Sequence, residues 1–123
     1  MLQYNHLLQN MIKQLMSEEI ESYLKSDLKK ILLDVRTEDE WNSYGKPNGE
    51  KLGVKTFFLT IKDDNFLKEF NDLLINKESE ILIMCKVGQR SQFVAQLLEK
   101  DNYKCTNISD GFDGWKSSDL PCL

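Results

Sequence analysis

The sequence is poor in the residues that build metal sites and disulfide frameworks. It has a single histidine, His6, and three cysteines, Cys85, Cys105 and Cys122, with no Cys-x-x-Cys pair. A low, odd cysteine count argues against a disulfide framework and indicates a reducing compartment. Paired ligands for a structural zinc are missing as well. We therefore predict a cytoplasmic protein without a metal site.

An excess of basic residues and a long apolar run are also missing. Lysine and arginine number 16 against 20 acidic residues, the net charge is -4 and the sequence pI is about 5.0, so we expect no nucleic-acid partner. No apolar run approaches the roughly 20 residues that span a bilayer, so we expect no membrane partner. The first residues, MLQYNHLLQNMIKQLM, lack a basic start and a small-residue cleavage site, which argues against a secretory signal.

The length and composition fit one globular unit. The chain has 123 residues, of which 41% are hydrophobic and 29% charged, about one domain's worth. We predict a tail or loose helix over residues 1–11 and a single domain over residues 12–123. Strands are predicted at five segments: Ile12–Met16, Ile31–Val35, Val54–Leu59, Glu80–Cys85 and Tyr103–Ile108.

Helix signals fall between these strands. Ser17 is predicted to be an N-cap, and Thr37 with Glu40 forms a capping box. Apolar stripes predict helices over Asp64–Leu74 and Ser91–Lys100, and a last short helix carries Phe112 and Trp115. The residues predicted to face inward are Ile20, Leu24, Leu28, Phe66, Leu67, Phe70, Leu73, Leu74, Phe93, Val94, Leu97 and Leu98.

The alternation of strand and helix predicts the fold class. Ile31–Val35 and Ile81–Met84 are apolar throughout, which is typical of parallel strands covered on both faces. We therefore predict an α/β fold with a five-stranded, mostly parallel sheet flanked by helices in three layers. Ligands of such sheets bind outside the carboxyl ends of the strands. Three segments fall there: DVR, CKVGQR and SDGFDGW.

The segment CKVGQRS joins the most apolar strand directly to a helix. Backbone N–H groups at a helix start have no intrahelical partner. If Gly88 takes a positive φ, these groups can curl into an anion-binding cradle. Lys86 and Arg90 add positive charge, and together these features favour a reactive thiolate at Cys85. The alternative is that Cys85 is an ordinary core residue, the usual fate of a free cysteine.

Three motifs in order resemble the rhodanese sulfurtransferases. The loop from Cys85 to Ser91 is similar to that family's Cys-x-x-Gly-x-Arg active-site loop. LLDVRTEDEWNSYG, residues 32–45, resembles its first signature, and NISDGFDGWKSSDLP, residues 107–121, its closing one. Two departures are the segment Gly45–Gly53 in place of a His-Ile-Pro-Gly-Ala-like segment, and Asp110 at the first glycine of the closing signature.

The resemblance implies a five-stranded, mostly parallel fold and a sulfurtransferase activity. Cys85 would take sulfane sulfur from an anionic donor such as thiosulfate, become a persulfide, and pass the sulfur to cyanide, a thiol or a protein acceptor. The implied chemistry uses no cofactor. The substrate-binding residues implied are Lys86, Val87, Gly88, Gln89, Arg90 and Ser91.

The length of the cysteine loop distinguishes the rhodaneses from other enzymes of the same fold. Phosphatases and arsenate reductases that share this fold have a loop one residue longer, and those phosphatases carry a histidine where this chain has Met84. A further alternative is a non-catalytic rhodanese-like module that binds a partner. A missing cysteine or a broken loop in the sequence would indicate such a module.

Residues around the loop are assigned supporting roles. We expect Lys86 to attract an anionic donor, and Arg90 to hold the loop through hydrogen bonds to carbonyl groups. Asp34 and Arg36 are expected to form a buried or half-buried ion network at the same edge, with a capping and scaffold role rather than a direct catalytic one. Cys105 is expected to be inert core, with Cys122 near an exposed terminus.

Overall fold

The computed structural model describes residues 11–26, 28–61 and 65–123. Apart from Met11, the tail or loose helix predicted for residues 1–11 lies outside these ranges. Asp64, the first residue of the predicted helix Asp64–Leu74, also lies outside them. The described strands are β1 Lys13–Leu15, β2 Lys30–Asp34, β3 Lys55–Phe58, β4 Glu80–Met84 and β5 Lys104–Ile108. The described α-helices are α1 Ile20–Tyr23, α2 Glu38–Tyr44, α3 Phe66–Asp72, α4 Gln89–Glu99 and α5 Gly111–Ser117.

The five strands form one sheet in the order β1-β5-β4-β2-β3, and all four pairings are parallel. This confirms the predicted fold class. β4 lies at the centre, with Asp34 of β2 opposite Met84. Cys85 therefore leaves the sheet at the middle of its carboxyl edge, where ligands of such sheets bind.

The two faces of the sheet are covered by separate hydrophobic clusters. Successive residues of β4 alternate between them, since Ile81 and Ile83 face one cluster and Leu82 and Met84 the other. α3 and α4 cover the first face, and α1 and α5 cover the second. This explains why residues 31–33 of β2 and 81–84 of β4 are all apolar: each of these side chains meets a helix layer, whichever way it points.

Helix ends differ from the prediction more than strand ends do. Met16, not Ser17, is the N-cap of the 3-10 turn Ser17–Glu19 that leads into α1, and Ser17 is buried. α1 ends before Leu28, which is 39% exposed. Leu74 follows the end of α3 in a left-handed conformation, φ 54°, and is 87% exposed. Both leucines were wrongly predicted to face inward, because the helices are shorter than their apolar stripes.

Phe93 was also wrongly predicted to face inward. It is 56% exposed, whereas Val94, Ala95 and Leu98 of the same helix are buried. The capping box, in contrast, is confirmed. The Glu40 N–H donates to Thr37 Oγ1, and the Thr37 N–H donates to Glu40 Oε1, both at 3.2 Å.

Candidate active site

Cys85 follows the central strand β4 and faces the start of α4. The residue is only 1% exposed. The backbone N–H of Gly88 donates to its sulfur at 3.0 Å, and Ser91 Oγ lies 3.4 Å from the same Sγ atom. The loop thus closes around a single sulfur atom.

Gly88 has the positive φ that the sequence suggested. Its φ is 97°, and it is the N-cap of α4. A Cβ at this position would lie less than 3.0 Å from the carbonyl oxygen of Ser109. Only glycine meets both demands, so the cradle depends on this residue.

Opposing effects act on the Cys85 thiol, and the hydrogen bonds outweigh the burial. Burial raises its pKa, while hydrogen bonds from the Ser91 hydroxyl and from the backbone N–H groups of Ser91, Gly88 and Val87 lower it. The net result is a pKa below the ordinary value. Donors around the sulfur stabilise the thiolate, which is the nucleophilic form.

The closing signature packs directly on the cysteine loop. The N–H of Phe112 donates to the carbonyl oxygen of Cys85 at 2.8 Å, and the N–H of Asp113 donates to that of Lys86 at 3.2 Å. Gly111 has φ 58°, and a Cβ there would lie less than 3.0 Å from both carbonyl oxygens. The start of α5 therefore forms one wall of the loop.

Asp110 stands where the family motif has its first glycine, but its backbone does not adopt a left-handed conformation. Its φ is -97° and ψ 0°, in the right-handed region open to any residue. Its carboxylate accepts hydrogen bonds from the Ser17 N–H at 3.0 Å and the Ser17 hydroxyl at 2.9 Å. The departure from the family motif thus adds a contact between the 3-10 turn and α5.

Arg90 holds the loop, but through an ion pair rather than through carbonyl groups as predicted. Its two terminal nitrogens donate to the two carboxylate oxygens of Glu40 at 2.7 and 2.8 Å. The hydrogen bond from Arg90 lowers the pKa of Glu40 to about 2, even though burial opposes the shift. The pair joins the first turn of α4 to α2.

Lys86 leads from the cysteine to the rim of the site. Its ammonium lies 3.0 Å from Asp113 Oδ2 and 5.3 Å from the centre of the Tyr44 ring. The hydrogen bond to Asp113 raises the pKa of Lys86. Its charge is therefore partly balanced by a carboxylate of the neighbouring helix.

Asp34 and Arg36 form a fully buried pair behind the loop. Their side chains are 0% exposed and 2.8 Å apart. Arg36 also donates to the carbonyl oxygen of Gly45 at 2.9 Å, and its guanidinium lies 4.0 Å from the centre of the Phe112 ring. The pair thus ties the end of β2 to α2 and α5, in a scaffold position.

Asn107 connects to the loop in a way that the sequence analysis missed. Its Oδ1 lies 2.6 Å from Ser91 Oγ, and its Nδ2 donates to the carbonyl oxygen of Gly88 at 3.1 Å. The remaining residues of the predicted loop point outward: Val87 is 53% exposed, and Gln89 is exposed in the first turn of α4. The predicted set therefore divides into sulfur-facing and solvent-facing members.

The other two cysteines lie in different surroundings. Cys105 is buried in β5, and burial raises the pKa of its thiol. Cys122 is exposed and forms an antiparallel bridge with Pro47, in the segment Gly45–Gly53. The two buried thiols of the described structure thus differ, since the pKa of Cys85 is lowered and that of Cys105 is raised.

Within residues 11–26, 28–61 and 65–123, no group of three or more His, Cys, Asp or Glu side chains could hold a metal ion. No helix in the same part of the chain is long and apolar enough to cross a membrane.

The sequence matches the Rhodanese-like domain family over residues 16–118. The chain belongs to the rhodanese-like family. Its relatives include the uncharacterised protein RP600 of Rickettsia prowazekii, which is 36% identical over 102 residues, 73% of this chain and 80% of the relative. The adenylyltransferase and sulfurtransferase MOCS3 of Drosophila persimilis is 32% identical over 91 residues, but these are only 19% of that longer protein.

Solved structures share the rhodanese-like fold. Rv0390 from M. tuberculosis superposes with a TM-score of 0.74 at 25% identity, covering 90% of this chain and 96% of that one. The polysulfide-sulfur transferase of Wolinella succinogenes superposes with a TM-score of 0.73 at 21% identity, covering 91% of this chain and 78% of that one.

Proposed function

We propose that this chain is a sulfurtransferase in which Cys85 carries sulfane sulfur as a persulfide. The observation that supports it most is the set of donors around one buried sulfur. Gly88 N–H lies 3.0 Å from Cys85 Sγ, Ser91 Oγ lies 3.4 Å from it, and the pKa of the thiol is lowered. These donors would stabilise a thiolate before the reaction and a persulfide anion after it.

The reaction proceeds in two displacement steps. The Cys85 thiolate attacks the outer sulfur of thiosulfate, the sulfur–sulfur bond of the donor breaks, and sulfite leaves with the bonding electron pair. Cyanide or a thiolate then attacks the outer sulfur of the persulfide, and the Cys85 thiolate leaves. Both steps are thiol-exchange chemistry and require no general base once the thiolate is present.

Sulfur transfer is also the activity that some similar proteins carry in their names. The Drosophila relative is called a sulfurtransferase and the Wolinella neighbour a polysulfide-sulfur transferase. We carry over the reaction class alone, with thiosulfate as the test donor and cyanide or a thiol as acceptor.

Phosphatase or arsenate reductase activity has less support. Four residues separate Cys85 from Arg90, which makes a narrow loop around one sulfur rather than around a tetrahedral oxyanion. Both terminal nitrogens of Arg90 are engaged by Glu40. An oxyanion at Cys85 would have to compete with that carboxylate for the arginine.

The proposal is tested by mass spectrometry of the intact protein after incubation with thiosulfate. We expect the mass to rise by one sulfur atom, and cyanide to remove that atom. Cys122→Ser should behave like the wild type, because Cys122 lies outside the loop. If the wild type gains no sulfur, or Cys85→Ser gains as much, the proposal fails, and a non-catalytic module becomes the better explanation. Hydrolysis of p-nitrophenyl phosphate that depends on Cys85 would favour the phosphatase instead.

A further inference from the structure

A chain of side-chain hydrogen bonds leads from Cys85 to the edge strand β1. Ser91 Oγ lies 3.4 Å from Cys85 Sγ and 2.6 Å from Asn107 Oδ1. Asn107 Nδ2 donates to the carbonyl oxygen of Gly88 at 3.1 Å and to Gln14 Oε1 at 2.9 Å. Ser91 is 0% exposed and Asn107 3% exposed, so water does not replace these bonds readily.

The orientation of the Asn107 amide follows from backbone groups that only accept hydrogen bonds. The carbonyl oxygen of Gly88 requires the nitrogen of Asn107 to face it, which leaves Oδ1 facing Ser91. Gln14 is oriented in the same way, because its Nε2 donates to the carbonyl oxygen of Ile12 at 3.1 Å. Its Oε1 is therefore the atom that meets Asn107, and reversing either amide would bring two acceptors together.

This arrangement decides where the Ser91 proton lies. A hydroxyl has one proton, and Asn107 Oδ1 can only accept it. With the proton on the Asn107 side, the oxygen lone pairs of Ser91 face Cys85 Sγ. A neutral thiol can donate to them, but a negative sulfur needs the hydroxyl to rotate and donate to it instead. Asn107 and a charged Cys85 therefore compete for the same proton.

We propose that Asn107 is a positioning residue of this site, which draws the Ser91 proton away from Cys85 while the sulfur is neutral and yields it when the sulfur becomes negative. The assignment rests on the proposed function, since it concerns the same sulfur. Asn107 does not touch the sulfur, and it acts through the Ser91 hydroxyl. Its bond to Gly88 gives it a second task, because that bond holds the loop from the other side.

The charged groups around Cys85 have fixed partners of their own. Arg90 and Lys86 flank the loop and are paired with Glu40 and Asp113. Asp34 is paired with Arg36 behind the loop. None of these groups has a hydrogen bond to Asn107 in the structure described. A change at Asn107 should therefore reach the sulfur through Ser91 or through the Gly88 loop.

The two routes predict opposite shifts of the thiol titration. Asn107→Leu keeps the approximate size of the side chain but removes the acceptor. If the variant frees the Ser91 proton for the sulfur, the titration midpoint of Cys85 should fall by about 0.5 to 1 pH unit. If it loosens the Gly88 loop, N–H donors are lost and the midpoint should rise.

The experiment measures the pH midpoint of thiolate absorbance, with the same protein carrying Cys85→Ser subtracted. Ser91→Ala should raise the midpoint. Adding Asn107→Leu to Ser91→Ala should then not lower the midpoint, because no hydroxyl is left to redirect to the sulfur. An unchanged or raised midpoint in Asn107→Leu, or an equal shift in both backgrounds, overturns the proposal. Asn107→Ala, with the same expected sign, replaces the leucine variant if that does not fold.

The test distinguishes this proposal from the proposed function, because it uses no sulfur donor. If the midpoints shift as expected but thiosulfate adds no sulfur, the sulfurtransferase proposal fails and the role of Asn107 stands. If sulfur is added but the midpoints do not shift, the reverse holds.

Discussion

Glu40 accepts a hydrogen bond from each terminal nitrogen of Arg90, at 2.7 and 2.8 Å. The same carboxylate closes the capping box of α2 by accepting from the Thr37 N–H at 3.2 Å. One side chain thus fixes the start of α2 and the first turn of α4. The fork of the arginine makes the contact directional, so the cysteine loop is held in orientation as well as in position.

Glu40→Gln separates the ion pair from the capping box. Glutamine can still close the box, but it lacks the charge that Arg90 meets. The Glu40 side chain is 17% exposed and that of Arg90 is 41% exposed, so we expect the free energy of unfolding to fall by about 1 kcal/mol. Urea unfolding measures this loss, with Glu38→Gln as the control, because Glu38 lies in the same first turn of α2 but is exposed. Equal losses in the two variants would show that the pair contributes nothing specific.

The ion pair between Glu40 and Arg90 should also make the stability of the fold depend on pH in the acidic range. The hydrogen bond from Arg90 lowers the pKa of Glu40 from 4.5 to about 2. A carboxylate whose pKa is lower in the folded state stabilises the fold above its unfolded pKa, and this stabilisation is lost as the pH falls through the folded value.

We therefore expect the stability difference between wild type and Glu40→Gln to be constant near neutral pH. It should shrink between pH 4.5 and about 2, the unfolded and folded values of Glu40. Urea unfolding at a series of pH values in matched buffers measures this difference. A difference that persists at the acid end would mean that the charge of Glu40 is not its source.

The strands could be predicted closely because burial on both faces leaves a strong signal. Glu80–Cys85 was predicted, and β4 is Glu80–Met84. The inward-facing side of α4 was harder to predict than the strands. Phe93 and Val94 are adjacent and both apolar, as are Leu97 and Leu98, so two neighbouring faces are equally apolar. Only the packed sheet selects Val94 and Leu98.

The site was predictable where it is local in sequence. Cys85, Gly88 and Ser91 lie within seven consecutive residues, and the geometry of a helix start relates them directly. Glu40 and Asn107 come to the loop from α2 and β5, and that proximity depends on the order of the strands. The sequence did single out Glu40, but only as part of the capping box with Thr37, which gave no reason to expect a contact with Arg90. Asn107 could have been noticed because a polar amide in a predicted buried strand needs hydrogen-bond partners.

Gly111→Ala should disrupt the cysteine loop. Its Cβ would lie less than 3.0 Å from the carbonyl oxygens of Cys85 and Lys86, and its φ of 58° strains any other residue. We expect a loss of stability of about 2 kcal/mol or more, and little or no persulfide, because the loop must move to make room. Urea unfolding and intact mass after thiosulfate treatment measure the two effects.

Gly53→Ala is the matched control for this substitution. Gly53 also has a positive φ, 81°, but no atom lies within 4 Å of its added Cβ. We expect a loss of about 1 kcal/mol from backbone strain alone, with sulfur uptake unchanged. If the two alanine variants lose the same stability and both take up sulfur, the close approach of Gly111 to the loop is unimportant.

Asp113→Asn should make the site more receptive to an anionic donor. Asp113 Oδ2 lies 3.0 Å from the ammonium of Lys86, and the two side chains are 50% and 37% exposed. Removing the carboxylate charge leaves Lys86 free to attract thiosulfate, so we expect the KM for thiosulfate to fall about two- to fivefold. The effect should fade as salt is added, since exposed charges are screened.

Asp101→Asn is the control for the change in net charge. Asp101 is exposed between α4 and β5, at the edge of the sheet opposite Cys85. Steady-state kinetics with thiosulfate and cyanide should show a lower KM in Asp113→Asn alone. If both variants lower the KM equally, overall charge is the cause. If neither does, Lys86 does not attract the donor, and the charges of the loop matter less than its backbone N–H groups.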